Sequence, residues 1–126
     1  MLDQLNLQNL TPEVQKAIVA LKVLITVMDK QLEAGQYAAA VETCDTILDK
    51  KGSGILSFIW YNYRSRAYEK MHDYDKSFRD AKMAKSSLDN LQKKNTHSNF
   101  NELNQVLEDR VIVLRSKSKK WWQVWK

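Results

Sequence analysis

The sequence is poor in whatever breaks or cross-links a chain, with three glycines, one proline and one cysteine in 126 residues. So little glycine and proline argues against turn-rich β structure, and the abundance of Lys, Glu, Leu, Ala and Gln predicts an all-α fold. With Cys44 alone, no internal disulfide, zinc site or redox pair can be built from thiols. Long apolar runs are missing too. The most apolar stretch, Ala17 to Met28, is interrupted by Lys22, so no transmembrane span is expected. The first residues lack the basic cluster of a secretory signal, which with the cysteine usage predicts an intracellular, cytoplasmic setting. There is no Ser/His/Asp order, phosphate loop or HExxH run, and His72 and His97 have no second ligand at metal spacing. The expectation is a protein that is not an enzyme and uses no cofactor or metal.

Charge is unevenly placed. Arg110 to Lys126 holds six basic residues and no acidic one, so the net +5 of the whole chain becomes −1 for everything before it. The body is neutral and the C-terminal end is basic.

Five helices are predicted. Thr11-Pro12-Glu13 is a start signal: a capping hydroxyl, a proline whose missing N–H costs nothing, and an acid at the positive helix end. From there to about Ala34, Val14, Ala17, Ile18, Leu21, Leu24, Ile25, Met28 and Leu32 recur at three- and four-residue steps, with Val19, Val23 and Val27 widening the face to two contacted sides. Gly35 closes this helix. The second helix runs from about Tyr37 to Lys50, with Glu42, Asp45 and Asp49 outward. Lys51-Gly-Ser-Gly54 is a hinge. The third runs from about Ile55 to Met71. The fourth, from about Tyr74 to Leu91, buries Phe78, Ala81, Ala84 and Leu88 and turns Lys76, Arg79, Lys82 and Lys85 to water. Asn90 to Asn99 reads as a loop, and Ser98 as the cap of a fifth helix whose stripe is Leu103, Leu107, Val111 and Leu114, continuing in phase to Ser118, Trp121 and Trp125.

Two of these stretches correspond. Leu32-Glu-Ala-Gly-Gln-Tyr37-Ala-Ala-Ala40 and Lys70-Met-His-Asp-Tyr74-Asp-Lys-Ser77 each join a helix end, a short turn and an aromatic followed three residues later by a small residue, and Tyr37 and Tyr74 stand 37 apart. The pattern resembles the tetratricopeptide repeat. Tyr61, Ser65 and Tyr68 stand near that family's W, G and Y places, and Ala81 and Ala84 at its later small positions; the first copy keeps Gly35, Tyr37 and Ala40. Arg64 departs from the pattern where an apolar residue is usual, His72 where glycine is common, and the closing proline is missing from both copies.

The resemblance implies a helix-turn-helix superhelix; with the residues on either side, the chain divides into an arm over residues 1–10, a helical domain over 11–116 ending in a capping helix, and a basic Trp-rich tail over 117–126. It also implies an adaptor that binds a peptide or partner helix in a groove carrying Ile25, Thr26, Asp29, Asn62, Tyr63, Arg66 and Lys70. Asn62, Arg66 and Lys70, spaced by four, would share one helix face able to hold a carboxylate. The clamp by which some members grip heat-shock chaperone C-termini is not expected, because its places fall on Ile25, Asp29 and Tyr63. In the tail, Lys119, Lys120, Trp121, Trp122 and Trp125 suit a partner's pocket, a membrane surface or the body itself. A basic patch this short, without a recognition fold, argues only weakly for nucleic acid. The tail could also fix a small subunit in a larger assembly, and helix 5 could mediate homo-oligomers.

Overall fold

Two turns of the same form organise the chain. In the computed structural model, Gly35 has φ 74° and His72 φ 62°. In the first turn the Gly35 and Gln36 amides donate to the Leu32 and Gln31 carbonyls; in the second the His72 and Asp73 amides donate to those of Glu69 and Tyr68. Both are Schellman closures, and every donor and acceptor of the second lies 37 residues after its counterpart in the first.

The structure describes residues 12–49, 56–94 and 100–118. They form α1 (Pro12–Glu33), α2 (Tyr37–Leu48), α3 (Ser57–Lys70), α4 (Tyr74–Lys94) and α5 (Asn101–Lys117), with no strand among the described residues. The fold is all-α. Each helix packs chiefly on its neighbours in sequence, most extensively α3 on α4. The arm over residues 1–10, the Thr11 and Ser98 caps, the Lys51–Gly54 hinge and the tail from Lys119 lie outside the described residues.

The core is built around α3, where Phe58, Ile59, Trp60, Tyr63 and Ala67 are sealed from solvent together with Ile25 and Met28 of α1, Ala40 and Cys44 of α2, Ala84 and Leu88 of α4, and Leu103 and Leu107 of α5. Small residues set the α3–α4 spacing. Ser65 and Ser77 are fully buried, and each hydroxyl donates to the other residue's carbonyl, at 2.8 and 2.7 Å. Such close approach leaves no buried hydroxyl unsatisfied.

Several expectations are corrected. Asn90 to Lys94 is helix rather than loop, because α4 runs on through Lys94. Val19, Val23 and Val27 stay exposed instead of packing on a second side among the described residues; Val23 is 74% exposed. Lys85 is half-buried and reaches Asp89 at 2.9 Å and Glu108 of α5 at 3.7 Å rather than facing water alone. Asp45 is not simply outward, because it accepts from Arg64. Ser118 is buried as its phase predicts, yet its backbone is extended, so α5 ends at Lys117, and Trp121 and Trp125 lie outside the described residues.

His72 is the one described non-glycine residue with positive φ. That conformation costs an L residue about 1–2 kcal/mol, against about 0.5–1 kcal/mol for the extra freedom glycine brings to the unfolded chain. The 2.9 Å contact of His72 Nδ1 with the Tyr74 hydroxyl is exposed and offsets little. His72→Gly is therefore expected to raise stability by about 0.5 kcal/mol, read from urea unfolding midpoints.

Candidate functional site

A groove runs beside α3 on the side where α1 and α5 flank it. Its first recess, of about 160 Å³, is lined by Asp29, Leu32, Glu33 and Tyr37 with Arg66 and Lys70. The second, of about 500 Å³, is lined by Arg66, Glu69, Lys70, His72, Tyr74 and Arg110. Arg66 and Lys70 belong to both, so the recesses adjoin at these two side chains. The two share a plan. Adding 37 to Asp29, Leu32, Glu33 and Tyr37 gives Arg66, Glu69, Lys70 and Tyr74, so the turns that repeat along the chain place the same four positions around each recess. The chemistry inverts between them: the acids Asp29 and Glu33 of the first unit become the cations Arg66 and Lys70 of the second.

Each cation is held differently. The Arg66 guanidinium lies 5.4 Å from the centre of the Tyr63 ring, a cation–π arrangement that orients it without neutralising it. Lys70, at the end of α3, is exposed and completes the last helical turn favourably. Arg110 of α5 donates to Glu69 Oε1 at 3.0 Å and to Ser65 Oγ at 2.9 Å; burial lowers its pKa from the usual value, with the Glu69 charge opposing. Lys117 lies 3.8 Å from the other Glu69 oxygen and 5.5 Å from the Tyr74 ring centre. Three cations, Arg66, Lys70 and Arg110, therefore line the second recess against the single carboxylate of Glu69, with Lys117 beside it.

The residues expected in the groove separate. Asp29, Arg66 and Lys70 line it. Thr26 does not: it is exposed, and its hydroxyl donates back to the Lys22 carbonyl at 2.9 Å. Ile25 is 1% exposed and belongs to the core. The shared face of Asn62, Arg66 and Lys70 is corrected as well, because Asn62 is 4% exposed, with its Oδ1 unpartnered inside the protein. Tyr63 is fully buried and lines neither recess; its hydroxyl donates to Asp29 Oδ1 at 2.6 Å. Lys119, Lys120, Trp121, Trp122 and Trp125 lie outside the described residues.

Arg110 and Lys117 are additions, as are Glu69 and Tyr74. In the sequence both cations count toward a basic tail, and Lys117 begins it; in the fold they are part of α5 and belong to the groove. The signal that finds Glu69 and Tyr74 is the 37-residue offset applied to Leu32 and Tyr37.

Two buried groups make the fold sensitive to alkali. Burial pushes the Cys44 thiol up to about 12, and it pushes the Tyr63 phenol upward too, helped by its bond to the Asp29 carboxylate. The unfolded chain releases these protons above about pH 9, where the folded chain still holds them. Their contribution is present in full below that pH and is lost as pH rises. Urea unfolding is expected to show stability falling above about pH 9, and a Cys44→Ala variant should show a shallower fall.

Among the described residues, no group of three His, Cys, Asp or Glu side chains is placed to hold a metal ion, and no helix is long and apolar enough to cross a membrane. The chain matches no protein-family model, no curated protein and no solved structure.

Proposed function

We propose that the chain is a non-enzymatic adaptor, built from two tetratricopeptide-like helix pairs and a capping helix, that holds an acidic segment of a partner protein in the groove. The observation that carries this reading is the excess of Arg66, Lys70, Arg110 and Lys117 over Glu69 around the second recess. A carboxylate from the partner would accept charge-assisted hydrogen bonds from Arg66 and Lys70, which make no ion pair within 4 Å among those the structure gives, while Arg110 is already held by Glu69. The first recess, walled by Leu32 and the Tyr37 ring, suits an adjacent apolar side chain.

Affinity capture with mass spectrometry on three forms tests the proposal: the whole chain, a form lacking 119–126, and Arg66→Glu with Lys70→Glu. The groove reading expects the truncated form to keep its partners and the reversed form to lose them. Loss on truncation alone would move the function to the tail, as for a subunit anchored in an assembly.

A further inference from the structure

The described chain ends at a depression beside the first turn of α4. Ser118 is 1% exposed, and its hydroxyl donates to Asp75 Oδ1 at 2.5 Å, which fixes the end of α5 on the first turn of α4. Beside it lies a cavity of about 450 Å³ lined by Asp73, Asp75, Lys76, Phe78, Arg79, Lys82 and Ser118 itself. Phe78 is half-buried there, with the Lys82 ammonium 4.4 Å from its ring centre, and the Arg79 side chain is 57% exposed.

We propose that this cavity is the docking site of the chain's own segment Lys119–Lys126. The sequence from Ser118 is Lys-Lys-Trp-Trp-Gln-Val-Trp-Lys. Asp73 and Asp75 are already engaged by Lys76 and Ser118, so the match rests on the tryptophans and not on Lys119 and Lys120. At about 3.3–3.6 Å per extended residue, Trp121 comes within about 10 Å of Ser118, the right range for the cavity. An indole placed there covers the Phe78 ring and stacks on the Arg79 and Lys82 cations. The extended backbone of Ser118 turns the chain off the α5 axis, which a continuing helix would have carried it along. A tether this short keeps the segment at an effective concentration of the order of millimolar, so a contact of modest intrinsic strength holds it.

Docking also bears on the groove through Lys117. Lys117, the residue before the anchor, contacts both Glu69 and Tyr74 of the second recess, so a docked tail steadies one wall of the partner site.

Fluorine NMR of the full chain labelled with 5-fluorotryptophan tests this. Trp60 is fully buried and serves as an internal reference for folding; Trp→Phe changes at 121, 122 and 125 assign the other three signals. The expected spectrum has the Trp121 or Trp122 signal displaced from its position in the urea-unfolded chain. That displacement should be lost in Phe78→Ala, and also in Arg79→Ala with Lys82→Ala, whose sites are exposed enough to leave the Trp60 signal in place. Tail signals that coincide with the unfolded positions in buffer and ignore both variants would overturn the proposal. So would tail signals that move only when phosphatidylserine vesicles are added, a result that assigns the segment to a membrane surface.

Discussion

Replacing Arg64 with methionine is expected to cost about 3–5 kcal/mol of folding stability, much of the roughly 5–15 kcal/mol a domain has. Arg64 is where the sequence departs from its apolar pattern, and the fold supplies the reason. Its Nε and one terminal nitrogen grip the two oxygens of Asp80 at 2.8 and 2.9 Å, and the other nitrogen reaches Asp45 at 2.7 Å, so a single guanidinium ties α2, α3 and α4 together. Hydrogen bonding to Asp80 is the main reason its pKa stands above the usual arginine value, ahead of the opposing effect of burial.

The two carboxylates are not equal. Asp80 has no exposed side-chain surface while Asp45 is 49% exposed. Losing Arg64 strands the Asp80 charge in the interior with only Arg79, 3.8 Å away and mostly in solvent, to balance it. Asp45→Ala should therefore cost no more than about 1 kcal/mol, as for an exposed pair. Arg64→Met combined with Asp80→Leu should recover most of the loss, because removing both charges leaves nothing buried and unpaired. Urea unfolding of the four forms checks this; a double variant as unstable as Arg64→Met would show that the arginine acts through packing.

Charge reversal in the groove is expected to have the largest effect on binding. Each charge-assisted hydrogen bond contributes about 1.5–3 kcal/mol, so Arg66→Glu with Lys70→Glu should weaken an acidic partner segment by at least roughly a hundredfold. Stability should change little. Lys70 is exposed, and Arg66 makes a ring contact but no ion pair within 4 Å among those the structure gives, so the change is a surface one. Thermal unfolding alongside calorimetric titration of a captured partner segment separates the two effects.

The helices and the turns were legible because glycine and small residues sit at places where the backbone itself imposes the choice, and Gly35 marks a left-handed residue whose equivalent His72 follows 37 positions later. The faces of α3 were not legible. That helix is covered on several sides at once, with Phe58, Ile59, Trp60, Asn62, Tyr63, Ser65 and Ala67 all buried, so it offers no polar stripe from which to read direction. Four-residue spacing put Asn62 beside Arg66, but the position one turn earlier is already inside the core.

Charge misled in a related way. Arg110 and Lys117 were counted with the tail because they precede it without an intervening acid, whereas Glu69, 41 residues before Arg110, is what holds them. Long-range pairing of that kind leaves no local mark. The recesses themselves were half legible: Asp29, Arg66 and Lys70 came from the resemblance to the tetratricopeptide repeat, and the offset that relates Leu32 to Glu69 and Tyr37 to Tyr74 was available in the same residues.

Selection from a random-peptide display library on the immobilised full chain, run in parallel on Arg66→Glu with Lys70→Glu, measures the groove's preference directly. Enrichment of Asp- and Glu-bearing peptides on the native chain, absent or reversed on the variant, is the result expected of a second recess where Arg66, Lys70 and Arg110 stand about the single carboxylate of Glu69. Peptides without acidic residues, or the same peptides selected by both forms, would contradict it.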